Sequence, residues 1–105
     1  IKMKVLIFDV ETTGLLPKNI KNEEIEKYPY IIQLSYILFE KDINKIVEKF
    51  DNYIILKRRI KIPKIVTDLT GITKEDCLSG VTIHTALSKI YNAMEEADVI
   101  VAHNI

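Results

Sequence analysis

The chain has 105 residues, enough for one domain with a single core and too few for two. Its 15 Lys and Arg balance 15 Asp and Glu, which excludes a global basic field as the driver of nucleic-acid binding and makes any polyanion site local. Hydrophobic residues at 48% and charged residues at 29% exclude disorder, collagen-like repeats and a solenoid.

Lys4-Val5-Leu6-Ile7-Phe8-Asp9-Val10-Glu11 is an apolar, β-branched run too short for a typical helix and stopped by Thr12-Thr13-Gly14, which predicts a buried central strand. From Leu15 to Pro29 come Pro17, Asn19, Asn22 and a charged cluster without sustained periodicity, so a loop with room for one helical turn is expected. Tyr30 to Glu40 predicts a second strand and Lys45 to Leu56 a third. The polar connection Lys41-Asp42-Ile43-Asn44 has hairpin length, so these two pair antiparallel. Pro63 suits a first helical position, and Ile65, Val66 and Leu69 fit a short helix ended by Gly71. Thr73-Lys74-Glu75-Asp76 has the form of a capping box with Asp in place of Glu, opening one more turn before Ser79-Gly80. Thr82 then caps a longer helix whose apolar positions Ile83, Ala86, Leu87, Ile90, Tyr91, Met94 and Ala97 follow the 3,4 spacing of one buried stripe. Asp98 to Ala102 is a short apolar run that predicts a strand parallel to the first.

The fold class is therefore α/β, a mixed sheet in the order β-β-β-α-α-β, with no internal repeat or linker. A chain that halts at His103-Asn104-Ile105 directly after a core strand lacks the helix that should cover the sheet face, so residues 1–105 are expected to be the N-terminal portion of a single domain. The one cysteine, Cys77, makes no intramolecular disulfide and is expected to be a half-buried thiol in a reducing compartment. Apolar runs break well before the length of a membrane span, and the start has no signal-peptide stretch. The expected location is cytoplasmic, or nuclear in a eukaryotic source.

Asp9 and Glu11 are separated by one residue on a strand, so both carboxylates point to one face with their Cα atoms about 6.5–7 Å apart. Acids flanked by Phe8 and Val10 in a buried strand are costly to desolvate, a cost that a divalent cation between them would offset. Hard oxygen donors suit Mg²⁺ or Mn²⁺. Two acids at a strand end that simply face solvent explain the same spacing.

Phe8-Asp9-Val10-Glu11-Thr12-Thr13-Gly14-Leu15 resembles, residue by residue, the first motif of the DEDD-type, DnaQ-like 3′-5′ exonucleases, a group with a ribonuclease-H-like fold. Tyr30-Ile31-Ile32-Gln33-Leu34-Ser35 resembles the second strand of that group. Leu69-Thr70-Gly71-Ile72-Thr73 resembles the turn after its first helix, and Val101-Ala102-His103-Asn104 the start of its second motif. Four matches in order make the likeness far more specific than any one, and they are nearest the proofreading branch typified by the DNA polymerase III epsilon subunit.

The resemblance implies removal of nucleoside 5′-monophosphates from the 3′ ends of single-stranded nucleic acid, DNA in the proofreading role, with a DNA polymerase as a further partner. It implies two Mg²⁺ or Mn²⁺ ions about 3.5–4 Å apart, with Asp9 and Glu11 as catalytic metal ligands. It also implies substrate contacts at Thr12, Thr13, Gly14, Leu15, Leu69, Thr70 and Asn104. For several of these a structural role serves equally: Thr13 as a turn-maker, Leu69 and Thr70 as a helix C-terminal turn before a left-handed Gly71, Asn104 as a tie on the strand end. His103 is implied to be structural and not the general base. The family's second-motif Phe-Asp, and its last motif with a His or Tyr and an Asp, are not among these 105 residues, so this stretch alone is expected to be inactive.

Two other classes compete. A haloacid-dehalogenase-like phosphatase also has an apolar strand ending in Asp-x-acid-x-Thr, but prefers Asp at the place of Glu11 and a helix directly after the first strand. A catalytically dead nucleic-acid or partner-binding module of the same fold would fit the missing motifs. Lys57, Arg58, Arg59, Lys61 and Lys64 form the only dense basic cluster and could touch phosphates. A solvated edge strand explains them at least as well, and they stand outside the expected site.

Overall fold

Along Ile31–Glu40 every second residue is buried, the signature of a strand inside a sheet with one packed face. The structure, a computed structural model, describes residues 2–14 and 28–103; most of the expected loop from Leu15 to Pro29 lies outside them. Strands β1 (Lys4–Thr12), β2 (Ile31–Glu40), β3 (Lys45–Tyr53) and β4 (Val99–Ala102) form one four-stranded sheet in the order β3-β2-β1-β4. β1 pairs antiparallel with β2, β2 antiparallel with β3, and β1 parallel with β4, as the sequence predicts. An antiparallel β2 beside β1 also departs from the phosphatase alternative.

Helices α1 (Lys64–Thr70), α2 (Lys74–Leu78) and α3 (Ile83–Glu96) separate β3 from β4. The capping box at α2 is complete: Asp76 N–H donates to Thr73 Oγ1 at 3.2 Å and Thr73 N–H to Asp76 Oδ2 at 2.9 Å. Thr82 caps α3 by accepting from Thr85 N–H at 3.1 Å. α3 lies across β1 and β2, where its Ala86, Ile90 and Ala93 join Leu6, Leu34, Tyr36, Leu38 and Ile54 in the main core. The Tyr36 hydroxyl donates to Glu48 on β3 and lies 3.3 Å from the Lys89 carbonyl of α3. Burial, with the Glu48 carboxylate second, pushes its pKa up, so it stays a neutral donor. A second cluster, Ile32, Leu56, Val66, Ile72 and Cys77, extends the covered face past the sheet end.

Five details depart from the sequence expectation. β3 ends at Tyr53 rather than Leu56: Ile54 N–H still donates to the Ile32 carbonyl of β2 at 2.9 Å, and the chain there turns to lace with Val81, whose N–H donates to Tyr53 O at 2.9 Å and whose carbonyl accepts from Ile55 N–H at 2.8 Å. Gly80 permits this approach, since a Cβ there would overlap the Tyr53 carbonyl. Pro63 is the extended N-cap of α1 (φ −57°, ψ 144°), not its first helical residue. Two turns of α1 present one face to the core, so Val66 is buried while Ile65 and Leu69 are 67% and 80% exposed. On α3 the buried stripe runs through Ala93, and Ile83 and Tyr91 lie outside it at 40% and 58% exposure. Finally, Cys77 is fully buried rather than half-buried. Gly71 does take the expected left-handed conformation at the end of α1 (φ 79°).

Candidate active site

With Leu6 sealed under α3, alternation along β1 turns Asp9 and Glu11 to the opposite face of the sheet. The registers extend that face sideways. Asp9 pairs with Ser35, which pairs with Asp51; Glu11 pairs with Gln33, which pairs with Tyr53. Ser35 Oγ donates to Asp51 Oδ1 at 2.6 Å and Gln33 Nε2 to the same oxygen at 3.0 Å. A shallow recess of about 300 Å³ lies over the Asp9 row, walled by Ile37, Lys49, Asp51 and His103 among others.

The parallel pairing of β4 delivers His103. Phe8 pairs with Ala102, and His103 N–H donates to Phe8 O at 2.9 Å, so the imidazole emerges beside Asp9, with Nδ1 3.5 Å from Oδ2. Asp9 Oδ1 is shut off from solvent and has no hydrogen-bond partner among the described residues. A carboxylate oxygen in that state costs free energy until a donor or cation meets it. The acid pair is thus a fit for a hard divalent ion: oxygen donors, one buried orphan, one shared face. Among the described residues no three or more His, Cys, Asp or Glu side chains converge as a metal cluster, so these carboxylates offer only part of a coordination shell.

Beyond Glu11 the ladder slips by one residue at Thr12, and the turn closes on itself. Thr13 N–H donates to Tyr30 O at 2.9 Å and Tyr30 N–H returns to Thr13 Oγ1 at 2.9 Å, so Thr13 is committed to tying the strand end. Thr12 Oγ1 donates to Gly14 O at 2.6 Å, while Gly14 N–H reaches Thr12 Oγ1 only at 3.4 Å and is nearly free. At the end of α1, Thr70 Oγ1 donates to Val66 O at 2.8 Å and accepts from Ile72 N–H at 3.1 Å. Neither Leu69 nor Thr70 lines the recess at Asp9. Leu15 and Asn104, the other two expected contacts, lie outside the described residues.

Asp51 was not foreseen as part of this face. The signal existed in the hairpin: counting back through Lys41–Asn44 pairs Ser35 with Asp51 only when the extra residue between Leu38 and its β3 partners is known.

Comparison with known proteins points one way. The family model described as an exonuclease, RNase_T, matches residues 6–105. A PolC-type DNA polymerase III of Mycoplasmopsis pulmonis is 32% identical over 94% of this chain and 6% of its own length. The 3′-5′ exonuclease DinG of Bacillus subtilis is 30% identical over 99% of this chain and 10% of its own. The chain therefore spans a tenth or less of these relatives. Among solved structures, product-bound exonuclease I superposes with a TM-score of 0.73 at 16% identity, covering 97% of this chain and 22% of that one. The nuclease domain of 3′hExo, a DEDDh family member bound to rAMP, gives 0.65 at 18% identity, over 96% and 52%. These two share the fold.

Proposed function

This chain belongs to the exonuclease family and has its ribonuclease-H-like, DnaQ-like fold, and from that premise we propose that it serves metal-dependent 3′-5′ removal of nucleoside 5′-monophosphates from single-stranded nucleic acid, DNA in the first instance. The observation that carries the reading is Asp9, with a buried, unpartnered carboxylate oxygen, on the same face as Glu11 at the end of the central strand. These two side chains would hold Mg²⁺ or Mn²⁺. When bound, ions in such a site supply positive charge to the scissile phosphate and the leaving oxygen.

The chain's own residues do the rest. β1 and its two neighbours fix the carboxylates on a rigid element, which spares reorganisation when charge develops. Thr13 anchors the turn and leaves Gly14 N–H as its available donor, which supports contact of Thr12 to Leu15 with the terminal nucleotide. The 80% exposure of Leu69 leaves an apolar surface at the end of α1, consistent with a nucleoside contact by Leu69 and Thr70; a substrate contact is assigned to Asn104 by resemblance. Likeness to PolC-type polymerases supports a polymerase as partner. Two carboxylates cannot position two ions, so residues 1–105 by themselves are proposed to be inactive and to bind Mg²⁺ no better than about millimolar. No helix among the described residues is long and apolar enough to cross a membrane.

The test is Asp9→Ala and Glu11→Ala in the full-length protein, assayed on 3′-labelled single strands with circular dichroism as the fold control. Turnover is expected to fall by several orders of magnitude. Activity within about tenfold of wild type in both variants overturns the assignment.

A further inference from the structure

We propose that the turn Lys57–Ile60, together with Lys61, is a binding surface for the phosphate backbone of a single strand whose 3′ end lies at Asp9 and Glu11. The proposal deepens the exonuclease reading and takes the identity of the strand from it.

In a chain of zero formal charge, residues 57–67 hold five basic side chains and no acid. Only Lys64 is paired, with Asp68 at 2.9 Å; Lys57, Arg58, Arg59 and Lys61 are exposed and have no ion-pair partner among the described residues. The edge-strand explanation does not hold, because β3 ends at Tyr53; Lys57, Arg58 and Arg59 lie in a turn, with Lys61 just after it. The turn is built and pinned. Ile60 N–H donates to Lys57 O at 3.0 Å, and Ile60 and Ile62 pack on the Ile32, Leu56 and Cys77 cluster. The ammonium of Lys74 donates to the carbonyls of Lys57, at 2.6 Å, and Ile60.

A further cation, Lys74, therefore holds together a turn already carrying three, with Lys61 directly after it. Four like charges within five consecutive residues, with no acid among them, repel one another in the free protein. A polyanion relieves that repulsion, and the rigid turn spends little entropy on meeting it.

Placement selects the occupant. β1 and β3 run in the same direction, and Glu11 and Tyr53 share a row through Gln33, two strand spacings or about 10 Å apart. Lys57 follows four residues later, at most about 14 Å further. A single strand with its 3′ end at the carboxylates reaches this turn within a few nucleotides, inside the span of typical single-strand sites.

The experiment compares the full-length protein with its R58S/R59S/K61S variant and with R58K/R59K. Fluorescence anisotropy reports binding of labelled DNA and RNA single strands of about 16 nucleotides in Ca²⁺, without turnover. Hydrolysis of the p-nitrophenyl ester of thymidine 5′-monophosphate, too small to reach the turn, reports the carboxylate site alone. The serine variant is expected to lose at least about tenfold in strand affinity near 0.1 M salt and to flatten the salt slope by about 2, with ester turnover unchanged and R58K/R59K close to wild type. Strand affinity within about twofold of wild type, or loss confined to phosphatidylserine vesicles, overturns the proposal. If the serine variant does not fold, the three single substitutions decide by the same slope, each worth about 0.7. Failure of the wild type to cleave the ester or trim a strand would instead count against the exonuclease reading, while the binding comparison still decides on the turn.

Discussion

On one face of the sheet Leu6, Leu34, Tyr36 and Leu38 are at most 3% exposed beneath α3, whereas on the other Ile7 and Val101 are 37% and 43% exposed and Asp9, Ser35 and Asp51 stand in a row. Both faces come from the same alternation. The covered face is specified many times over, by every second residue of β2 and by the matching stripe of α3, so its energy is spread through a core. The open face sets an orphaned carboxylate oxygen on Asp9, matched on the covered side by one on Glu40, beside apolar side chains in water. A fold gains from the first face, and chemistry is available on the second.

Neighbouring residues on β1 give the sharpest way to break this contrast. Leu6→Ala removes a fully buried side chain and is expected to cost about 2–5 kcal/mol. Ile7→Ala, one residue on and facing the open side at 37% exposure, is expected to cost only about 1–1.5 kcal/mol. Urea unfolding of both variants checks this, and equal losses would mean that the open face is packed in solution. Gly80→Ala comes next. Its Cβ meets the Tyr53 carbonyl where the covered face is laced to Val81, so about 1–3 kcal/mol is expected, against less than about 0.5 kcal/mol for Ser79→Ala at the same break, which loses only an exposed hydrogen bond to the Asp76 carbonyl.

The open face should respond with the opposite sign. Removing Asp9 deletes a partly buried carboxylate with an unpartnered oxygen, and in EDTA the Asp9→Ala variant is expected to unfold no more easily than wild type, with a gain of up to about 1 kcal/mol. Function and stability would then part at one residue. A clear loss of stability in EDTA would show that Asp9 serves the fold and not a site.

How far the two faces could be read from the sequence follows the same division. The covered face was legible because its signals are local and repeated: alternation in β2, the 3,4 spacing and Thr82 cap of α3, the Thr73–Asp76 box. Its errors were non-local. Ile54 to Leu56 reads as strand, and only the lacing of Tyr53 to Val81 past Gly80 ends β3 earlier. Tyr91 has the right spacing for the stripe and is still 58% exposed, since an α3 lying on two strands buries a narrow band in which Ala93 outranks it. On the open face Asp9 and Glu11 were legible from spacing along one strand. Asp51 and His103 were not, because their places depend on registers across three partners, which chain spacing does not encode.

The smallest effect lies at the far end of the covered face. Cys77 Sγ sits 3.9 Å from the Ile32 carbonyl, and burial, with the nearby Asp76 charge second, pushes its thiol up, Lys74 opposing. A thiol whose pKa is higher folded than unfolded holds its proton better in the native state. Its contribution to stability is therefore complete below the unfolded value of about 8.5 and is lost as pH rises through the folded one. Thermal midpoints of the wild type should fall above that pH more steeply than those of Cys77→Ala, which starts lower for want of packing but lacks this titration. Parallel curves would show that the second cluster admits water to the sulfur, and the contrast between a sealed and an open face would then end at Ile32.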